Sequence, residues 1–336
     1  MALSERNQSI REDQTMNEEF DVAIVGAGPA GISVAIEAGR NGLKSIVIDK
    51  GSLVNTIRRY PTYAVFFSTS ELLELGGIPF PSINKQPNRQ EALRYFTKVA
   101  EHFGVRHSLY NTVHTISRSN AGFEIESDKG TIRARKVVIA IGYFEKFNML
   151  KVEGEAQEHV SHFYTEAFAY TGREVVVVGG SNSAGEAALD LYRNGAKVTL
   201  VHRKAELYEK MKYWVRPDLA NRIKEGSIKA YFNTVVTAIG QDHIELRQGE
   251  KEFSIKAEHV LALTGFHPDV DFLKMAGVSY NKDTYVPDFN EQSLESNVEG
   301  LYLAGTVLTG RFTSKIFIEN SRHHGKLIID HIVQQV

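Results

Sequence analysis

The chain has 336 residues, more than one hydrophobic core normally fills, so two domains are expected. Hydrophobic residues make up 42% and charged residues 24%, an ordinary globular balance with no apolar run long enough to span a bilayer. A formal net charge of −2 argues against a dedicated nucleic-acid binder, and the absence of cysteine excludes disulfides and thiolate metal sites while fitting a cytoplasmic protein.

Residues 1–19 are polar, lack the apolar centre of a signal peptide, and are expected to form a disordered tail. From there, short β-branched runs alternate with helical patterns: DVAIVG, KSIVIDK, RKVVIAIG, EVVVVGG, KVTLVHR, HVLALTG and GLYLAG. Such alternation predicts an α/β fold with parallel sheets crossed by helices. Two runs end in glycine turns that open helices, at 26–31 and 179–184, so two Rossmann-like domains are expected. The second is expected to be inserted into the first: residues 20–150 and 268–336 for one, 151–267 for the other.

The first turn reads Gly26-Ala27-Gly28-Pro29-Ala30-Gly31. Gly26 permits the tight turn, Gly28 lets backbone approach a pyrophosphate, and Gly31 allows close helix–strand packing. The helix N-terminus offers free N–H groups to the phosphates. Asp49 lies 18 residues past Gly31, where a carboxylate accepts hydrogen bonds from a ribose diol, with Lys50 beside it. Gly142 closes the RKVVIAIG run, in a unit that reads as the FAD site.

The second turn reads Gly179-Gly180-Ser181-Asn182-Ser183-Ala184, with Ser181 at the middle-glycine position and Ala184 at the packing position. His202 stands 18 residues past Ala184, followed by Arg203 and Lys204. A carboxylate there would repel a 2′-phosphate, whereas a basic cluster pairs with it, so this site reads as NADPH, closed by Gly265. The alternative is a solvated basic strand end.

Near the C-terminus, GLYLAGTVLTGRFTSKIFIEN repeats the strand–turn–helix logic. Gly305 and Thr306 are expected at the flavin, Thr306 standing where related flavoproteins place an aspartate. A helix opening near Ser314-Lys315-Ile316 would point its positive end at the flavin, with Lys315 reinforcing it. His323 and His324 follow; His324 is a candidate proton donor to a leaving thiolate. No His/Asp/Glu spacing suggests a metal.

From about Phe20 onward the chain resembles the low-molecular-weight thioredoxin-reductase-like flavoproteins, and within them the bacillithiol disulfide reductase family. The resemblance rests on YPTYAVFFSTSELLELGGIPF, RQEALRYFTKVAEHFGV, KMKYWVRPDLANRIKEGSI, LALTGFHPDV and IFIENSRHHG. It implies FAD in the first domain, NADPH in the inserted one, a homodimer, and reduction of a small oxidised thiol. The family lacks the Cys-x-x-Cys pair of disulfide reductases, whose place here is filled by Tyr164-Thr165-Glu166-Ala167. Many members carry a cysteine in a G-x-G-P-C-G turn; this chain has Ala30, which excludes a mechanism using a thiol there.

The leading expectation is therefore an NADPH-dependent flavoenzyme that reduces a small disulfide directly from the flavin. One rival is a thioredoxin-reductase-like ferredoxin or flavodoxin–NADP reductase. Such enzymes commonly extend past the last helix to lay an aromatic on the flavin, and the Gln334-Gln335-Val336 ending counts against it. The other rival is a flavin redox sensor of low turnover.

Overall fold

A computed structural model describes residues 18–335. Most of the expected tail lies outside them, but Glu19 already belongs to the first strand, Glu19–Val25. The chain divides into two compact units. One contains the described residues up to Arg59, Ser68–Lys146 and the described residues from His267 onward. The other contains Tyr60–Phe67 and Phe147–Phe266.

In the first unit, Glu19–Val25 lies between Ser45–Ile48 and Gly130–Ile139, parallel to both. His107–Ser108 extends the sheet parallel to Ser45–Ile48. The ten-residue strand Gly130–Ile139 does two jobs on its far side. Its first half joins an antiparallel meander with Gly122–Ser127 and Val113–Ser119, and its last residues pair in parallel with Leu301–Leu303. The central strands are apolar at successive positions, as strands buried on both faces are. Val22 to Ile24, Ile46 to Ile48, Val137 to Ile139 and Leu301 to Leu303 are all buried in one cluster. The helices Pro29–Arg40 and His324–Gln334 pack together, and Gly325 makes the approach possible: a Cβ there would collide with the Ser33 carbonyl.

The second unit repeats the plan with a five-stranded parallel sheet, in the order Lys229–Tyr231, Lys197–Val201, Glu174–Val178, His259–Ala262, Val160–Ser161. A three-stranded antiparallel sheet, Thr234–Ile239, His243–Gln248 and Lys251–Lys256, is attached in sequence between its strands. The Tyr60–Phe67 segment joins this unit through the Thr62 N–H bond to the Thr165 carbonyl and a Phe67–Trp214 stack. The position expected for a redox pair is structural: Tyr164 is buried and its hydroxyl donates to Asp190.

Candidate functional site

The first glycine turn connects the central strand to the helix Pro29–Arg40. Gly26 has φ +115°, and a Cβ on it would press into the Ala140 backbone just past the end of the neighbouring strand. A Cβ on Gly31 would overlap the Gly26 carbonyl oxygen, so helix and turn touch there without room for a side chain. Gly28 is different, because a Cβ would meet nothing within 4 Å. The chain itself does not require a glycine at 28; the open space above it fits a ligand that comes close to backbone.

Gly28 is also the N-cap, with no side-chain cap and no acidic residue in the first turn. The helix Arg89–His102, by contrast, is closed by an Asn88–Glu91 capping box. The uncapped end leaves N–H groups and the positive dipole end available to phosphate. Half-buried Asp49 accepts from Ala27 N–H and Gly51 N–H, both at 2.7 Å, which fixes the carboxylate beside the turn. Burial raises its pKa, against the pull of these two bonds. Each oxygen accepts one backbone bond, and a carboxylate oxygen can accept another from a ribose hydroxyl. Lys50 pairs with Glu145. These features fit a bound dinucleotide.

Gly305 reaches the same turn from the C-terminal strand. A Cβ on it would lie 2.8 Å from the Ala30 Cβ, so the two residues are in mutual contact range. Thr306 sits next to Gly142: a Cβ on Gly142 would lie 3.3 Å from the Thr306 hydroxyl. His324 Nδ1 accepts the Gly305 N–H at 3.1 Å. Burial, with a smaller contribution from His323, lowers the His324 pKa to about 4. A neutral ring with Nδ1 as acceptor carries its one proton on Nε2 and has no imidazolium proton to give. The bond to the Gly305 N–H fits a positioning role for His324 beside this turn.

The expected helix at Ser314-Lys315-Ile316 is also corrected. Those residues pass from a turn into irregular chain, and a single helical turn, Ile318–Ser321, begins later. Asn320 sets that start: its Oδ1 accepts the Phe317 N–H at 2.8 Å and its Nδ2 donates to the Lys315 carbonyl. Lys315 is exposed and its ammonium lies over the Phe312 ring, 4.5 Å from the centroid.

The second glycine turn shows a parallel construction. Gly179 packs against the Leu263 carbonyl and Ala184, and the helix Asn182–Arg193 starts at Ser181 with no side-chain cap and no acid in its first turn. Ser183 lies in that first turn. Gly180 leaves space filled by the His202 ring, which a Cβ would overlap. Burial lowers the His202 pKa, and the Lys204 and Arg203 charges push it the same way. Its Nε2 is buried without a hydrogen-bond partner. Arg203 and Lys204 are exposed at the strand end, with no carboxylate in the position that selects a free ribose. Gly265 (φ +94°) is tied to Asn148, whose N–H donates to the Gly265 carbonyl at 2.9 Å. An uncapped helix end, a glycine turn and two adjacent cations fit a phosphorylated dinucleotide.

Sequence reasoning found both turns and missed what surrounds them. The Asp49 bonds to Ala27 and Gly51 are local enough to be anticipated from a strand-end aspartate. The Gly305–His324 bond is not, although His324-Gly325 at a helix start carries the small residue that such close packing requires.

A family model for pyridine nucleotide-disulphide oxidoreductases matches residues 23–305. The chain is 39% identical over 314 residues to the bacilliredoxin reductase Bdr of Bacillus subtilis (strain 168), covering 93% of this chain and 97% of that one. Solved structures of the bacillithiol disulfide reductase Bdr are similar throughout. The Staphylococcus aureus protein has a TM-score of 0.92 at 34% identity, covering 95% of this chain and 99% of its own. The Bacillus cereus protein has a TM-score of 0.93 at 34% identity, covering 95% and 100%. The fold is thus the thioredoxin-reductase-like pair of FAD- and NAD(P)-binding Rossmann units, and the family uses FAD and a pyridine nucleotide, NADPH among its thioredoxin- and ferredoxin-reductase relatives. The chain belongs to the pyridine nucleotide-disulphide oxidoreductase family, as a flavin oxidoreductase of its bacillithiol disulfide reductase group.

Proposed function

We propose that this enzyme passes two electrons from NADPH through FAD to a low-molecular-weight disulfide such as oxidised bacillithiol, with no protein thiol in the path. The observation that carries the reading is the absence of cysteine, with Ala30 at the turn position where many family members have one. Bound FAD would supply the redox chemistry, hydride acceptance and two-electron transfer. The protein's part is binding and orientation.

In the first unit, Gly28 and the uncapped helix end hold the pyrophosphate, and Asp49 accepts from the ribose. Gly142, Gly305 and Thr306 form the backbone wall, with Ala30 opposite Gly305, Pro29 beside it in the turn, and His324 holding the Gly305 N–H. Ser314, Lys315 and Ile316 lie in the following turn, where Lys315 brings a positive charge without a helix end behind it. In the second unit, Gly179 to Ala184 take the NADPH pyrophosphate. Arg203 and Lys204 pair with the 2′-phosphate, the group that distinguishes NADPH from NADH.

On the same reading the enzyme is a cytoplasmic homodimer that engages neither nucleic acid nor membrane. No helix among the described residues is long and apolar enough to cross a bilayer. The test is an acceptor panel under NADPH: oxidised bacillithiol, other small disulfides, a bacilliredoxin, ferredoxin and oxygen. Oxidised bacillithiol should support the fastest turnover. Turnover with bacilliredoxin or ferredoxin and none with any small disulfide would reject the proposal.

A further inference from the structure

The Arg203–Lys204 pair sits on an exposed arc, and an exposed cation recognises a phosphate well only if its backbone is held still before the ligand arrives. The structure shows how the arc is held. At one end it leaves the strand Lys197–Val201; in its middle, the Lys204 carbonyl accepts the Asn233 N–H at 3.0 Å. The chain then returns to the glycine turn, where Tyr208 N–H donates to the Gly180 carbonyl at 2.9 Å. Four residues on, Lys212 N–H donates to Asn182 Oδ1 at 2.8 Å.

Lys212 fastens the return a second time. Its side chain is only 13% exposed, and its ammonium contacts Glu186 Oε1 at 2.6 Å and the Val65 carbonyl at 3.1 Å. Asn182 is the first residue of the helix and Glu186 stands one turn later on it, so both anchors sit on the element that carries the phosphate-facing helix end. Met211, between the two fastened points, is buried against Gly185, where a Cβ would crowd its sulfur at 3.0 Å.

We infer that Asn182 and Lys212 form a latch that pre-positions the Arg203–Lys204 arc, making them positioning residues for coenzyme selectivity. This rests on the NADPH reading above. The 2′-phosphate is the group that the arc alone meets, so loosening the latch weakens NADPH binding more than NADH binding. Damage to the glycine turn would weaken both alike.

The test is calorimetric binding of NADP⁺ and NAD⁺ to the flavin-loaded enzyme and its variants, read as the ratio of the two Kd values. Asn182→Ala should cut the wild-type preference for NADP⁺ by about five- to tenfold, the effect of one lost hydrogen bond. Asn182→Asp keeps the acceptor oxygen and should keep the ratio, even though its charge weakens both ligands. Lys212→Met keeps the main-chain bond and loses the ammonium anchor; it should lower the ratio by about threefold and carries the test alone if Asn182→Ala does not fold. Ratios in Asn182→Ala and Lys212→Met equal to wild type would overturn the latch, as would a ratio in Asn182→Asp as low as in Asn182→Ala. A wild type that binds NAD⁺ as tightly as NADP⁺ would instead remove the coenzyme reading beneath it.

Discussion

The ring of His324 takes the backbone N–H of Gly305 on its Nδ1 atom, at 3.1 Å, and burial holds that ring neutral. This bond connects the first residue of the helix His324–Gln334 to the turn that touches Ala30. It also has a direct consequence for stability against acid.

The His324 pKa is lowered from 6.5 to about 4, so between those values the unfolded chain binds a proton that the folded chain refuses. Its contribution is complete above pH 6.5 and is lost as pH falls toward 4. At pH 5 the loss is about 2 kcal/mol. Urea unfolding of His324→Ala should show a correspondingly smaller drop between pH 7.5 and pH 5 than wild type. Equal drops would mean that the ring titrates normally when folded.

Gly28 and Gly31, at the start of the first helix, separate flavin binding from folding. Gly28 has φ −76° and ψ 175°, values any residue adopts, and open space beyond it. Gly28→Val should therefore fold with a cost of about 1 kcal/mol from the poorer N-cap, yet purify without flavin. Gly31→Ala should be far more damaging to stability, because its Cβ would occupy the position of the Gly26 carbonyl oxygen. A yellow Gly28→Val protein with full flavin occupancy would contradict the pyrophosphate assignment.

Coenzyme choice is assigned to the exposed pair after His202. Removing the Arg203 guanidinium should cost NADPH about 1.5–3 kcal/mol, roughly ten- to a hundredfold in affinity, with a much smaller effect on NADH. Stopped-flow flavin reduction with each coenzyme measures this. Equal losses for the two coenzymes would show that Arg203 does not meet the 2′-phosphate.

How much of this was legible depended on the range of the interactions. The glycine turns, their strands and Asp49 could be read from sequence, because each is set by neighbours within one strand–turn–helix unit. The helix start near residue 314 could not, since Asn320 caps the chain at Phe317 and delays the helix to Ile318. Tyr60–Phe67 reads with its sequence neighbours, yet its partners, Thr165 and Trp214, lie more than 100 residues away and group it with the second unit. His324 looked like an acid because its type and place allowed it. Burial, with a smaller push from His323, lowers its pKa, and burial is a tertiary property.

On the proposed mechanism, electrons leave the flavin for a disulfide without stopping on a protein thiol. Anaerobic titration followed by rapid mixing tests it most directly. One NADPH should bleach one FAD, since the chain has no cysteine to store a second pair. Mixing that reduced enzyme with oxidised bacillithiol should then restore the oxidised flavin spectrum within the turnover time. A flavin that stays reduced with every small disulfide, and is reoxidised only by ferredoxin or oxygen, would contradict the account.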